Sequence, residues 1–325
     1  MTDLLDVDTG LEYARHRGIL AAGGRCVELG GGISNVVLLV EDGSRRAVVK
    51  QSLGRLRVAE LWEAPVDRIV TEARALGFAA AAVPGAVPAV LDSDPAAHTM
   101  TVQAAPAHWT SWKDQLLQGI ADPGVAAGLG SALGALHNAP TDTAPWLDQP
   151  AAFRALRVDP YHYAVAERLP SVAAPVLALA AEMENRHRCF VHGDYSPKNV
   201  LVGDGAFWII DFEVAHLGDP AFDLAFLLNH LLLKAVYRPQ DHDSYRRCAT
   251  AFLDAYALTG APAAVDRHLA AHLGCLMVAR TVGKSPAEYL DRSHRDTVTE
   301  IATRALLDGP DTVNWFWDAV AEKGR

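Results

Sequence analysis

The chain has 325 residues, half of them apolar, and a formal net charge of −10. This length exceeds what one ordinary hydrophobic core needs and predicts two lobes, and the acidic balance argues against a nucleic-acid partner. The acidic N-terminus lacks an apolar signal segment and the four cysteines are scattered, so we expect a cytoplasmic protein with no membrane partner and reduced thiols.

Three short apolar runs near the N-terminus predict an antiparallel β-meander. The runs Cys26–Leu29, Val36–Val40 and Ala47–Val49 have the composition of strands, and Asp42-Gly43 is a hairpin signal between the second and the third. A last strand of this sheet is expected at Thr99–Val102.

A glycine-rich polar segment separates the first two strands, and a lysine ends the third. Glycines let the backbone approach phosphate oxygens closely, and a lysine can reach the same oxygens as a point charge. We therefore predict that nucleotide phosphates bind here, and the candidate residues are Gly30, Gly31, Gly32, Ser34, Asn35 and Lys50. A plain tight turn and a solvated lysine are the alternative interpretations.

A helix is predicted to follow Lys50. The segment Val66–Leu76 has helix-forming composition with an apolar stripe. Glu72 in this helix is the candidate to pair with Lys50 and fix its position, and Glu60 and Glu63 are rival partners.

The chain becomes largely helical after Ala104-Ala105-Pro106, which is the predicted lobe boundary. We expect a first domain over residues 1–104 and a second over residues 105–325. Helices are predicted at Lys113–Ile120, Val125–His137 and Val172–Arg186. The last of these lies in an insertion, Asn138–Arg188, which we expect to shape the pocket for a substrate.

The segment HGDYSPKNVLVGDGAFWIIDFE brings together side-chain oxygens typical of phosphoryl transfer. Two short apolar strands flank Gly203-Asp204-Gly205, which is a hairpin signal, so Asn199 and Asp211 should lie almost opposite each other. Asp194 lies five residues before Asn199. Hard oxygen ligands suit Mg²⁺, and one further carboxylate can orient an attacking hydroxyl. A structural acidic turn beside a buried hairpin is the alternative.

These motifs resemble the aminoglycoside phosphotransferase and choline kinase superfamily, through HGDYSPKN, IIDFE and GDPAFDLA. The acidic pair in DFE is most similar to 5-methylthioribose kinases. The resemblance implies an α+β, bilobal, protein-kinase-like fold, with a small antiparallel sheet in the N-lobe and a mainly helical C-lobe. It implies ATP as co-substrate and Mg²⁺ as the metal. The implied roles are catalysis by Asp194 and Lys198, metal binding by Asn199, Asp211 and Glu213, and adenine binding by the backbone at Ala104.

Other polar residues have less certain roles. His192 is expected to tie its own loop by hydrogen bonds, and Asp223 either caps a helix or, by the resemblance, accepts backbone N–H groups of the catalytic loop. Arg280, Lys284 and Tyr289 form an unusually polar segment that could line the acceptor site, although a solvated helix-loop junction is the interpretation we favour here.

The sequence as a whole predicts an ATP-dependent kinase acting on a hydroxyl of a sugar, an aminosugar, an aminoglycoside or an amino-alcohol. A nucleotide-binding pseudokinase or regulatory module, and a kinase-fold enzyme that modifies proteins, remain alternatives.

Overall fold

The structure is a computed structural model that describes residues 4–21, 23–30, 32–43, 45–58, 61–148, 150–186, 189–262 and 266–324. The predicted candidates Gly31 and Glu60 lie outside the described residues.

The N-terminal part contains a five-stranded antiparallel sheet with the strand order β1-β2-β3-β5-β4. Its elements are α1 (Val7–His16), β1 (Arg25–Glu28), β2 (Asn35–Glu41), β3 (Arg46–Ser52), α2 (Arg68–Ala82), β4 (Val90–Asp94) and β5 (Thr99–Gln103).

Alternation along β3 decides which side chains face the cleft. Ala47 and Val49 pack with Ala14 of α1 in one small apolar cluster. Val48 packs into the main core that includes α2. Because successive side chains in a strand point to opposite faces, Lys50 lies on the same face as Val48 and away from α1.

The remainder of the chain is mainly helical. Its elements are β6 (Thr110–Ser111), α3 (Trp112–Leu117), α4 (Pro123–Asn138), α5 (Ala151–Phe153), a π-helical stretch (Arg154–Tyr163), α6 (Ala164–Arg168), α7 (Ala173–Glu184), β7 (Cys189–Val191), β8 (Val200–Gly203), β9 (Ala206–Ile209), β10 (His216–Gly218), α8 (Pro220–Tyr237), α9 (His242–Leu258), α10 (Arg267–Val282), α11 (Arg292–Asp308) and α12 (Asn314–Lys323). The long apolar run from Leu224 to Val236 forms the buried part of α8.

The predicted α+β class, the meander and the hairpin are confirmed. Two elements of the N-terminal part were not predicted: α1, which begins with a capping box between Asp6 and Thr9, and the short strand β4. The acidic appearance of the N-terminus concealed α1, although an Asp followed three residues later by Thr is a recognisable start signal. The lobe boundary between residues 104 and 105 stays a prediction.

No single helix among the described residues is long and apolar enough to cross a membrane. One pair of helical segments, Pro145–Arg168 and Pro170–Met183, meets the requirement of length and composition only when both are joined across a bend of 111°.

Candidate active site

The loop after β7 is held by one buried carboxylate. Asp223 accepts the backbone N–H of His192 at 2.7 Å and that of Gly193 at 2.8 Å, as the resemblance implied, while Asp219 caps α8. His192 ties the loop as predicted, because its Nδ1 accepts the N–H of Asp194 at 3.1 Å.

Gly193 is required by both conformation and space. Its φ is +77°, in the left-handed region, and a Cβ there would lie 2.9 Å from the carbonyl oxygen of Val214. A larger residue would therefore shift the loop that carries Asp194.

Asp194 is a buried carboxylate between two cations. Its Oδ2 lies 2.7 Å from Nη2 of Arg157 and 3.0 Å from Nζ of Lys198. Burial would raise the pKa of Asp194, but the charges of Arg157 and Lys198 outweigh it and hold the pKa below its ordinary value. Asp194 is therefore ionised at neutral pH, which suits a group that orients a hydroxyl more than one that removes its proton early.

The hairpin brings the two predicted metal ligands to the same place. The N–H of Ile210 donates to the carbonyl oxygen of Asn199 at 2.9 Å, next to Asp211. The Nδ2 of Asn199 donates to the carbonyl oxygen of Asp194 at 3.0 Å, which leaves the amide oxygen of Asn199 for a cation. Asp211 has a φ of +71°, a conformation that Asp tolerates better than most residues.

Lys50 joins the two parts of the chain through a buried ion-pair network. Its Nζ lies 2.6 Å from Oε1 of Glu72 and 2.8 Å from Oδ1 of Asp211. The predicted Lys50–Glu72 contact is thus present, while the rival Glu63 is exposed. Burial raises the pKa of Glu72 to about 8 against the opposing charge of Lys50. The same lysine outweighs burial at Asp211 and holds the pKa of that carboxyl below its ordinary value.

The carboxylate of Glu213, a predicted metal ligand, already accepts hydrogen bonds from three protein groups. Its carboxylate accepts from Ser34 Oγ at 2.8 Å, from Asn35 Nδ2 at 2.9 Å and from Arg68 Nε at 3.0 Å. One oxygen each from Glu72, Asp211 and Glu213 lie within 4.8 Å of one another, close enough to hold an ion. With three donors on Glu213, however, its present contacts hold the glycine-rich segment, and the side chains of Ser34 and Asn35 bond to Glu213 where the sequence predicted contact with phosphates.

A cleft of about 510 Å³ lies between the sheet and the hairpin. It is lined by apolar side chains from both sides and by the predicted residues Gly30, Gly32, Ser34, Asn35, Lys50, Glu72, Lys198, Asn199 and Asp211. Ala104 lies between two lining residues, Gln103 and Ala105, and its own N–H donates to the carbonyl oxygen of Arg46 at 3.4 Å.

A second cavity of about 300 Å³ adjoins this cleft, and Ser34, Lys113 and Lys198 line both. The second cavity, but not the first, is lined by Asp194, Arg280 and Tyr289. Arg280 and Tyr289 are half-buried and line this cavity, whereas Lys284 is exposed. Contact of these residues with an acceptor stays a prediction.

Several residues of these sites were not predicted from the sequence. Arg157 lies in the insertion Asn138–Arg188, which therefore contributes to the second cavity. Arg68, the partner of Glu213, is almost fully buried. His230 and Lys234 lie in α8 and line the same cavity. A signal was present for this last pair, since two basic residues four positions apart interrupt an apolar helix on one face.

Known proteins match this chain over most of its length. The model of the phosphotransferase enzyme family matches residues 25–268, about three quarters of the chain. A methylthioribose kinase of Bacillus cereus is 22% identical over 361 residues, covering 94% of this chain and 92% of that protein.

Solved structures match over almost the whole chain. A putative aminoglycoside phosphotransferase from Ralstonia eutropha has a TM-score of 0.58 and 15% identity, covering 98% of this chain and 97% of the other. An amicoumacin kinase in complex with AMP-PNP, Ca²⁺ and Ami has a TM-score of 0.56 and 12% identity, covering 92% and 94%. These likenesses confirm the predicted kinase-like fold.

Proposed function

The chain belongs to the phosphotransferase enzyme family, and from that membership we propose that it transfers the γ-phosphate of Mg-ATP to a hydroxyl of a small molecule. The relatives support the nucleotide and the kind of acceptor, because one is a methylthioribose kinase and another is a small-molecule kinase crystallised with AMP-PNP and Ca²⁺.

The observation that carries the proposal is the position of Asp194 and Lys198 where two cavities adjoin. The larger cavity is lined both by apolar side chains, such as Val48, Met100 and Leu201, and by cationic and carboxylate groups. That combination suits a purine ring and its phosphates. The smaller cavity is lined by the carboxylate of Asp194 and suits an acceptor.

Asn199 and Asp211 are the residues that would hold Mg²⁺. Their amide and carboxylate oxygens form the hard donor set that Mg²⁺ requires, and phosphate oxygens and water complete its shell. Magnesium bound there would neutralise charge that develops on the phosphates. Glu213 would use the remaining acceptor capacity of a carboxylate that already bonds to Ser34, Asn35 and Arg68.

The chain's own residues then position the reactants. Asp194 accepts a hydrogen bond from the acceptor hydroxyl, whose oxygen attacks the γ-phosphorus as the bond to the leaving ADP oxygen breaks. The hydroxyl proton passes to Asp194 late in the transfer and from there to solvent. Lys198 is near enough to Asp194 to contact the transferring group. Lys50, fixed by Glu72, holds the phosphates of the nucleotide. Phosphoryl transfer depends mainly on such positioning and charge neutralisation, and little on covalent chemistry by the protein.

The remaining assignments of the sequence stay part of this proposal. We place the nucleotide-positioning domain at residues 1–104 and the catalytic domain at 105–325. The acceptor classes suggested by the resemblance are sugars, aminosugars, aminoglycosides and amino-alcohols. The presence of Lys50, Asp194, Asn199 and Asp211 together argues against a pseudokinase.

The test is an assay of ADP release with Mg-ATP over a panel of sugars, sugar acids, aminosugars, aminoglycosides and amino-alcohols. We expect turnover with at least one acceptor and a phosphorylated product by mass spectrometry. Turnover should require Mg²⁺ and should be lost in Asp194→Asn, with Lys284→Gln as an exposed control. Tight Mg-ATP binding without turnover of any acceptor would favour the regulatory alternative.

A further inference from the structure

The smaller cavity has an excess of positive charge. Five cationic side chains and three carboxylates line it, and these are Lys113, Arg157, Lys198, Lys234, Arg280, Asp194, Glu213 and Glu288. The net charge of the whole protein is −10, so this local excess runs against the overall composition. A ligand of opposite charge is the simplest reason to collect cations in a cavity.

Each carboxylate of the cavity already has a cationic partner. Asp194 pairs with Arg157 and Lys198, and Glu288 accepts a short hydrogen bond from Lys113. Glu213 pairs with Arg68, which lies behind it. A cationic acceptor would therefore have to displace an existing partner before it could reach a carboxylate.

Two cations of the cavity have no such partner. Among the described residues, no carboxylate oxygen lies within 4.0 Å of Nζ of Lys234 or of the guanidinium of Arg280. Lys234 is fully buried, yet its Nζ has only a 3.3 Å bond to the carbonyl oxygen of His230 and lies 5.4 Å from the centroid of the Tyr289 ring. Lysines are almost never fully buried unless they are paired.

The guanidinium of Arg280 is fixed by two contacts, and some of its N–H groups remain free to donate. Its Nη1 donates to Ser285 Oγ at 2.9 Å and lies 3.4 Å from the hydroxyl of Tyr161. Its Nε is buried and has no hydrogen-bond partner within the part of the chain that the structure describes, and the same holds for the hydroxyl of Tyr289. Buried polar groups left without partners are rare and call for an explanation, such as a ligand.

The pKa of Lys234 reflects its burial among other cations. Burial, followed by the positive charges of Lys113 and Arg280, lowers the pKa of Lys234 to about 7, against weaker opposing effects of Glu288 and Asp114. The neighbouring His230 is also buried, and its pKa is lowered well below the ordinary value, so it adds no charge near neutral pH. A bound anion would restore the full charge of Lys234.

We propose that Lys234 and Arg280, assisted by the hydroxyl of Tyr289, bind an anionic group of the acceptor, so that the substrate is a small hydroxy acid or a phosphorylated polyol. This inference rests on the proposed kinase function and narrows its acceptor. A cavity of about 300 Å³ lies at the lower end of ligand pockets and suits a single sugar-sized molecule. Multi-ring cationic aminoglycosides and choline-like acceptors are disfavoured by charge.

The first arm of the test compares matched acceptors by ADP release. The pairs are gluconate with glucitol, glycerate with glycerol, and ribose 5-phosphate with ribose, with glucosamine and choline as cationic compounds. We expect kcat/KM for at least one anion to exceed that of its neutral partner by about tenfold to a hundredfold, as expected for hydrogen bonds to charged groups. The carboxylate and phosphate pairs distinguish the two kinds of anion. An equal or greater value for every neutral or cationic compound would overturn the inference while leaving the kinase function intact.

The second arm does not depend on turnover. Sulfate is titrated by calorimetry into the protein loaded with AMP-PNP and Mg²⁺, which fills the phosphate sites of the larger cleft. We expect binding in the native protein and in Lys284→Gln, which removes an exposed cation of the same segment. Binding should weaken at least tenfold in Arg280→Gln and Lys234→Met, and less in Arg280→Lys.

The two arms separate the possible failures. Absence of turnover with every acceptor would refute the proposed function, and the sulfate titration would still decide the anion site. Absence of sulfate binding, or binding that is equal in the native protein and both charge-removing variants, would overturn the inference. Thermal unfolding of each variant, compared with that of the native protein, checks that the variant is folded.

Discussion

Replacing Arg157 with methionine should destabilise the protein and impair turnover, because this side chain neutralises Asp194 in the interior. Arg157 is 7% exposed, and besides the ion pair its Nε donates to the carbonyl oxygen of Gly193 at 2.8 Å. Methionine keeps the length and apolar contacts of the side chain but has neither charge nor donor. Lys198 remains on Asp194, but its side chain is 52% exposed and compensates only in part.

The size of the destabilisation follows from the charge of Asp194, which loses its buried partner. Removing one partner of a buried ion pair costs roughly 3–5 kcal/mol. Because Lys198 stays beside Asp194, we expect Arg157→Met to lower the free energy of unfolding by about 2–4 kcal/mol. In an Asp194→Asn background, Arg157→Met leaves no buried carboxylate without its partner. The same substitution should then lower the free energy of unfolding by only about 1–2 kcal/mol, for the lost hydrogen bonds to carbonyl oxygens. The expected coupling energy between the two positions is therefore about 1–2 kcal/mol.

Urea unfolding of the native protein, the two single variants and the double variant measures this coupling. Arg157→Lys is the matched control, since it keeps the charge without the planar fork. The pH dependence gives a second readout. Because the pKa of Asp194 is lowered in the fold, its stabilising contribution is present above its unfolded pKa and is lost as pH falls through the folded value. Without Arg157 that loss, and the acid limb of kcat, should move to higher pH. Equal costs in both backgrounds with an unchanged acid limb would refute the reasoning.

Three further outcomes are expected. Asp194→Asn should lower kcat by roughly two to four orders of magnitude with nearly unchanged Mg-ATP affinity in calorimetry, and near-native turnover would exclude it as the catalytic carboxylate. Asp211→Ala should abolish Mg²⁺-dependent nucleotide binding, whereas Asn199→Ala should weaken it less because a neutral ligand is lost. If both variants bind Mg-ATP as tightly as the native protein, the metal lies elsewhere. Since Lys234 has a lowered pKa of about 7 and is charged only below it, kcat/KM for an anionic acceptor should fall as pH rises through that value, and Lys234→Arg should abolish this fall.

The catalytic centre was predictable because its residues are close in sequence. A single segment from His192 to Asp223 holds the loop, the hairpin and the carboxylate that fixes the loop, so local turn signals were enough to place Asn199 opposite Asp211. Lys50 and Glu72 come from another segment. Because a helix directly follows the strand that ends at Lys50, few acidic residues are candidates for the partner of this lysine.

Long-range contacts inside this centre were not predictable. Neither Arg157 nor Arg68 belongs to a motif, and each reaches its carboxylate from more than 30 residues away in the sequence. Glu213 illustrates the consequence. Its place in DFE suggested a metal ligand, but the side chains that satisfy it come from the glycine-rich segment and from α2, which only the folded chain reveals.

The acceptor cavity shows why the substrate is harder to predict than the reaction. Its cations come from α3, the π-helical stretch, the catalytic loop, α8 and α10, and the matched family region ends at residue 268, before Arg280. The transferred group is the same for every member of such a family, so one local constellation can serve all of them, whereas the acceptor is recognised by residues that differ in position and chemistry. A buried lysine without a carboxylate partner is costly in any fold. Within this chain, Lys234 is therefore better evidence about the acceptor than the DFE motif. The motif reports the chemistry that relatives share, whereas a buried cation without a carboxylate partner reports the charge that this cavity can bind.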